Sequence, residues 1–183
     1  MKDKIKIEPI IGEMLSVAQK VFERFNIDFY LVGAVARDIQ FSENPKFASL
    51  RKTNDVDITI MISDEEQFYE IKNVLLDTGY FTGHETEPIK LFYKQAIEVN
   101  ILPFGGIENA DYEIRIHKPK LFVMDMPRFQ EVLKYKNVIE IEDRCKLHIC
   151  SLEGLVVLKL FAYKHRSDRT KDLSDIDHIE VNY

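Results

Sequence analysis

Leu31-Val32-Gly33-Ala34 and, further along, Asp55-Val56-Asp57-Ile58-Thr59-Ile60 decide how this chain reads. Residues 28–32 form a short buried strand, Gly33 turns the chain, and Ala34 to Phe41 can continue as a helix straight from that turn. A residue without Cβ lets backbone approach an anion closely, and the helix behind it aims free N–H groups the same way. Residues 56–62 are rich in β-branched side chains and read as a second strand. Asp55 and Asp57 stand at i and i+2 of it, so their carboxylates share a face, with Cα atoms about 6–7 Å apart. Such a pair suits Mg²⁺ (or Mn²⁺), which takes hard oxygen ligands and draws the rest from a substrate's phosphates. Two such ions about 3.5–4 Å apart can activate a nucleophile and stabilise a leaving oxygen. A lone D-x-D or a lone strand-end glycine is common. Both together, in this order, point to phosphate chemistry.

Working outward, residues 8–26 carry Ile11, Met14, Leu15, Ala18, Val21, Phe22 and Phe25 on the stripe of an amphipathic helix. Residues 42–54 are polar, contain Pro45, and read as a loop. Ser63 with Glu66 three residues later predicts a capping box, opening a helix to about Asp77 that Gly79 ends. Residues 89–93 and 96–102 predict a hairpin whose second strand stops at Pro103-Phe104-Gly105-Gly106. Strand and loop follow around Pro119, then a short helix from Pro127 and a strand or two over 137–150. Ser151 caps a strong helix from Leu152 to about His165, and a last helix starts near Lys171. Helices at both ends and a mixed sheet between them give an α/β (α+β) chain. It reads as one domain over residues 1–183, with a core of about 8–126 and a helical C-terminal part of about 127–183.

Composition narrows the partners. The 183 residues include 45% hydrophobic ones, enough for a packed core. Lys and Arg number 25 against 31 Asp and Glu, so a globally basic nucleic-acid coat is excluded, though not a local patch. Cys145 and Cys150 make neither a disulfide framework nor a zinc signature. With no apolar leader and no apolar run long enough for a span, the expectation is a cytoplasmic protein without a membrane partner. His84, His117, His148 and His178 show no ligand spacing. Without G-x-S-x-G, Walker A or G-x-G-x-x-G, serine hydrolases, P-loop NTPases and dinucleotide enzymes drop out.

The pattern of Val32–Asp38 followed by Asn54–Ile60 resembles the DNA polymerase beta-type nucleotidyltransferase superfamily. The Gly-x-x-x-Arg-Asp form is also similar to the head domain of tRNA nucleotidyltransferases and poly(A) polymerases. Pro103–Gly106 and Lys171-Asp172-Leu173-Ser174-Asp175 bring the likeness closer to stand-alone bacterial proteins related to type IV toxin–antitoxin toxins. The resemblance spans about residues 29–180. It implies a nucleotidyltransferase-type mixed sheet flanked by helices, with a helical C-terminal addition. It implies transfer of a nucleoside monophosphate from an NTP to a hydroxyl of RNA, tRNA or protein, with a cognate antitoxin as a possible partner.

The resemblance assigns the metal and the chemistry to Asp55, Asp57 and a third carboxylate on a later strand. That third place is open. Asn100 stands where relatives often have Asp, and Glu98, two residues earlier, faces the same way as metal ligand or general base. The alternative for Glu98 is an exposed strand residue. Gly33 and Ala34 would seat phosphates, although Ala34 lacks the hydroxyl of the family's Gly-Ser pair. Arg37, one turn past Gly33, either reaches a phosphate or makes a structural salt bridge, and Asp38 pairs with Arg37 or Arg51. Lys159 interrupts an apolar helix face and needs a partner: a triphosphate in the family context, otherwise solvent by snorkelling. Lys164, Arg166 and Arg169 read as a solvated or RNA-facing surface. Asp172 and Asp175 share a helix face, as capping groups or, as the resemblance implies, as anchors for Lys171 or Arg37 or to orient the acceptor. Asn100 and Ala34 support a second class, a degenerate nucleotide- or partner-binding module. Antibiotic nucleotidyltransferases come third, because the chain looks too short for a drug-closing domain.

Overall fold

A computed structural model describes residues 7–41, 55–141, 145–165 and 170–182. The expected loop at 42–54, with Arg51, and the cations Arg166 and Arg169 lie outside the described residues.

The decisive strand forms as its pattern requires. Strand β1 (Phe29–Val32) leads through Gly33 into helix α2 (Gly33–Phe41), after an opening helix α1 (Pro9–Arg24). Strand β2 (Asp55–Ile62) turns Val56, Ile58, Ile60 and Ile62 into the core and leaves Asp55 and Asp57 half-buried on the other side. Helix α3 (Glu65–Asp77) follows, burying Phe68, Ile71 and Leu75. Its cap sits one residue later than the sequence pattern suggests. Asp64, not Ser63, is extended and accepts the Gln67 N–H at 2.9 Å, while Ser63 N–H donates to Gln67 Oε1 at 2.8 Å. Asp64 is the stronger cap because a carboxylate also meets the positive end of the helix.

Strands β3 (Phe81–Gly83), β4 (Lys90–Tyr93) and β5 (Ile97–Gly105) come next. The first of these three was not expected. Pro103 does not stop β5, which runs through it to Gly105. The reason is edge exposure: β4 pairs with β5 only as far as Asn100, so at Pro103 only the β2 side is bonded and the missing N–H costs nothing. The two glycines instead let the strand end lie against β2. Gly105 has φ +97°, and a Cβ on Gly106 would come within 2.7 Å of the Ser63 carbonyl oxygen.

Strands β6 (Glu113–Ile116) and β7 (Phe122–Asp125) pair as a separate two-stranded sheet, followed by helix α4 (Phe129–Leu133). Strands β8 (Asn137–Ile141) and β9 (Cys145–Ile149) precede helices α5 (Leu152–His165) and α6 (Thr170–Asn182). The segment read as a helical addition therefore also supplies two strands to the main sheet. That sheet has seven strands in the order β3-β4-β5-β2-β1-β9-β8. It is mixed: β2–β5 and β1–β9 are parallel, while β1–β2, β4–β5, β3–β4 and β8–β9 are antiparallel. Helix α1 packs on α3, and α5 packs on both α2 and α6. This is the expected α/β sheet flanked by helices. Among the described residues no helix is long and apolar enough to cross a membrane.

Candidate functional site

Three neighbouring strands bring the polar side chains to one place. The β1–β2 register sets Val32 opposite Asp57, so the glycine turn sits at the carboxylate. The β2–β5 register sets Asp55 beside Glu98 and Asp57 beside Asn100. Gly33 adopts φ +72°, and a Cβ there would run into the Asp57 carboxylate. The glycine is thus needed twice, for its backbone conformation and for the space Asp57 occupies. Gly33→Ala is expected to cost about 1–3 kcal/mol from the left-handed backbone alone. It should also push the Asp57 carboxylate out of place. Urea unfolding and Mn²⁺ binding check this; a variant equal to wild type in both would show that the turn accepts a side chain.

Asp57 is tightly held. The Asn100 side-chain amide donates to its Oδ1 at 2.9 Å. Burial pushes its carboxyl above the usual carboxylate range, the Asn100 hydrogen bond opposes this, and the Asp55 charge adds to the rise. Lys159 pulls it down and Glu98 pushes it up, more weakly.

Glu98 does not complete a three-carboxylate set. Its carboxylate bonds Lys90 at 3.1 Å, and the same ammonium reaches Glu87 at 3.2 Å. Among the described residues no three His, Cys, Asp or Glu side chains gather closely enough to hold a metal ion. Asn100 takes the place beside Asp57. Lys90 was missed by sequence reasoning, although strand alternation gives its signal: it pairs with Asn100 and so continues the row that begins at Asp57.

These residues form the floor of a cleft of about 1070 Å³. Gly33, Ala34, Asp55, Asp57, Glu98 and Asn100 line it, as do Lys159, Lys171, Asp172 and Asp175. Apolar side chains, Met124, Met126, Phe129, Leu155 and Leu158 among them, also line the cleft. No sequence pattern marks these residues, because they come from β7, the segment that follows it, α4 and α5.

Two expectations need correction. Arg37 is 1% exposed and does not face the cleft. Its guanidinium donates to Asp38 at 2.8 and 2.9 Å and to Asp175 at 2.8 Å, so it is a structural salt bridge and not a phosphate contact. Lys159 lines the cleft, yet it already has partners: Asp175 at 2.7 Å and Asp172 at 3.4 Å. Asp175 therefore bridges Arg37 of α2 and Lys159 of α5. Lys171 is exposed at the cleft's margin.

No family model and no curated protein matches the chain. Solved structures do. The chain is similar to lincosamide antibiotic adenylyltransferase LnuA, solved with lincomycin bound, at 20% identity and TM-score 0.51, over 97% of this chain and 98% of that one. It is similar to the antibiotic-resistance factor ANT(2'')-Ia at 9% identity and TM-score 0.57, over 96% and 85%. It is also similar to an antigenic nucleotidyltransferase-like protein from Paracoccidioides brasiliensis at 19% identity and TM-score 0.51, over 92% and 74%. At these identities the likeness is one of architecture: seven-stranded sheet, flanking helices and C-terminal helix together make the fold that nucleotidyltransferases share.

Proposed function

We propose that the cleft carries metal-dependent transfer of a nucleoside monophosphate from an NTP to an acceptor hydroxyl. The carrying observation is the juxtaposition of Asp55 and Asp57 with the glycine turn that opens α2, at the floor of one cleft. The carboxylates suit a divalent cation: both are hard oxygen donors on one face, and half-buried Asp57 is held by the neutral Asn100 amide at 2.9 Å. Asp55 and Asp57 would hold Mg²⁺ or Mn²⁺, which when bound supplies charge neutralisation and polarisation at the phosphoryl oxygens. The backbone of Gly33 and Ala34, at the N-terminus of α2, would face the phosphates. Lys159 and Lys171 would add positive charge beside them. Glu98, on the same face, is the carboxylate that would take the acceptor's proton as pyrophosphate leaves. Most of the acceleration would come from positioning and electrostatics.

The acceptor would be the hydroxyl of an RNA, particularly a tRNA, or of a protein. The same reading places the protein in the cytoplasm and allows a neutralising antitoxin as partner. A small-molecule acceptor is the second reading. Chain length had counted against it, but LnuA is matched over 98% of its own length, so the shortness of this chain is no obstacle.

A transfer assay tests the proposal. The protein is mixed with Mg²⁺ or Mn²⁺, each α-labelled NTP in turn, and total tRNA, lysate protein or lincomycin. Label is expected to enter one acceptor class and to be lost with EDTA. No label, together with Mg²⁺-dependent thermal stabilisation by NTP, would instead mark a nucleotide-binding module. Absence of both label transfer and NTP-dependent stabilisation overturns the proposal.

A further inference from the structure

The seven-stranded sheet ends in β3 on one side and β8 on the other. An end strand presents a row of unpaired backbone N–H and C=O groups, and proteins keep such rows short, charged or covered. Strand β3 is blunted by its length, only Phe81 to Gly83. Strand β8 pairs with β9 along all of Asn137 to Ile141. Among the described residues no strand covers its other side. Its β-branched Val138, Ile139 and Ile141 favour further pairing.

The charges along this edge point to what it pairs with. Lys136 directly precedes β8 and continues its alternation: Lys136 reaches Asp28 at 3.2 Å, while Asn137 donates to Gln40 at 3.2 Å. Lys136, Val138 and Glu140 thus share one face. Val138 is 56% exposed, neighbouring Tyr135 is 72% exposed, and Glu140 is exposed as well. Opposite charges therefore flank an exposed valine, two residues away on either side. A second copy turned by a two-fold axis can lay its β8 antiparallel to this one, Val138 against Val138. Lys136 of each copy then stands opposite Glu140 of the other, twice. A closed two-fold interface needs this self-complementarity. Like charges at the two places would instead repel a second copy, as a protected edge does.

We infer that β8 is a self-pairing edge: two copies of this chain join antiparallel through Val138, and their main sheets become one. The inference is independent of the proposed transfer reaction, because no residue of β8 lines the cleft.

Sedimentation equilibrium of the full chain tests this. A pairing of this size lies at the small end of specific interfaces, so a concentration series is needed. The wild-type mass is expected to rise to that of two chains. Lys136→Glu and Glu140→Lys each replace two attractive cross-strand pairs by two repulsive ones. Each is expected to weaken dimerisation by about 10–100-fold. An equimolar mixture of the two single variants should restore the dimer, because they complement each other across the axis. The double variant Lys136→Glu/Glu140→Lys should restore it too. Val138→Glu, at an exposed position, sets two carboxylates on the axis and should give a monomer. It keeps the test open if a charge variant misfolds, which thermal midpoints reveal. A wild-type chain that stays monomeric at every concentration overturns the inference. So does a dimer that all three single variants leave unchanged, since its interface then lies elsewhere. Single charge variants that weaken the dimer without rescue in the mixture overturn the pairing through Val138.

Discussion

Asp57→Asn is expected to lower nucleotidyl transfer by about 10³-fold, the scale of losing one preorganised electrostatic contact at a transition state. The fold should not suffer. Asparagine has the same shape, and its side-chain oxygen can still accept from Asn100, which now donates to Oδ1 at 2.9 Å. The substitution also removes a cost. Burial raises the Asp57 carboxyl above the usual range, with the Asp55 charge adding to the rise, so the ionised form is disfavoured in the folded chain. An acid whose folded-state pKa is raised stabilises the fold while it is protonated. That contribution is complete below the ordinary carboxylate range and is lost as pH rises through the raised folded value. In metal-free buffer, wild type should therefore lose stability relative to Asp57→Asn as pH climbs from acid towards neutral. At neutral pH the variant's thermal midpoint should equal or exceed that of wild type. Low activity with an intact midpoint is the signature of a group kept for chemistry at some expense of stability. A midpoint several degrees below wild type would assign Asp57 to the structure instead.

The site's floor was legible in the sequence because local rules determine it. Period-two alternation puts Asp55 and Asp57 on one face whatever the tertiary context, and a strand ending on Gly33 before a helix has few other readings. What failed depended on partners distant in sequence. Arg37 is one turn past Gly33, but its direction is set by Asp175, 138 residues later. Lys159 announced that it needed a partner, and the structure supplies aspartates of α6. Glu98 and Asn100 share a face, so sequence left both in play. The parallel register with β2 decides which one stands beside Asp57. Pro103 looked like a terminator because the extent of β4, which frees one side of β5 there, is not a local property. Ser63 and Asp64 are both good caps, and one residue of slip separates them.

Arg37→Met is expected to destabilise the protein by about 3–5 kcal/mol, the cost of removing one partner from a buried ion pair. For a chain of this size that lowers the thermal midpoint by roughly 6–20 °C. The guanidinium is 1% exposed and ties α2 to α6 through Asp175, whose side chain is 11% exposed. Methionine fills much of the volume but removes the guanidinium from Asp175 Oδ1, which leaves Lys159 at 2.7 Å as the cation on that carboxylate. The pairing also predicts non-additivity. Asp175→Leu alone leaves the buried arginine with Asp38 only, whereas Arg37→Met/Asp175→Leu removes both members of the α2–α6 pair. The double variant should therefore be more stable than the sum of the singles by about 0.5–3 kcal/mol, the range for groups in direct contact. Activity gives the decisive contrast with the sequence-based expectation. An arginine gripping a phosphate would, when replaced, raise KM for the NTP and leave the midpoint alone. An arginine that holds α6 in place loses midpoint first. Its effect on turnover would come through Lys159, whose ammonium shares Asp175 at 2.7 Å. Arg37→Met with a wild-type midpoint and a KM raised ten-fold would return this residue to the nucleotide.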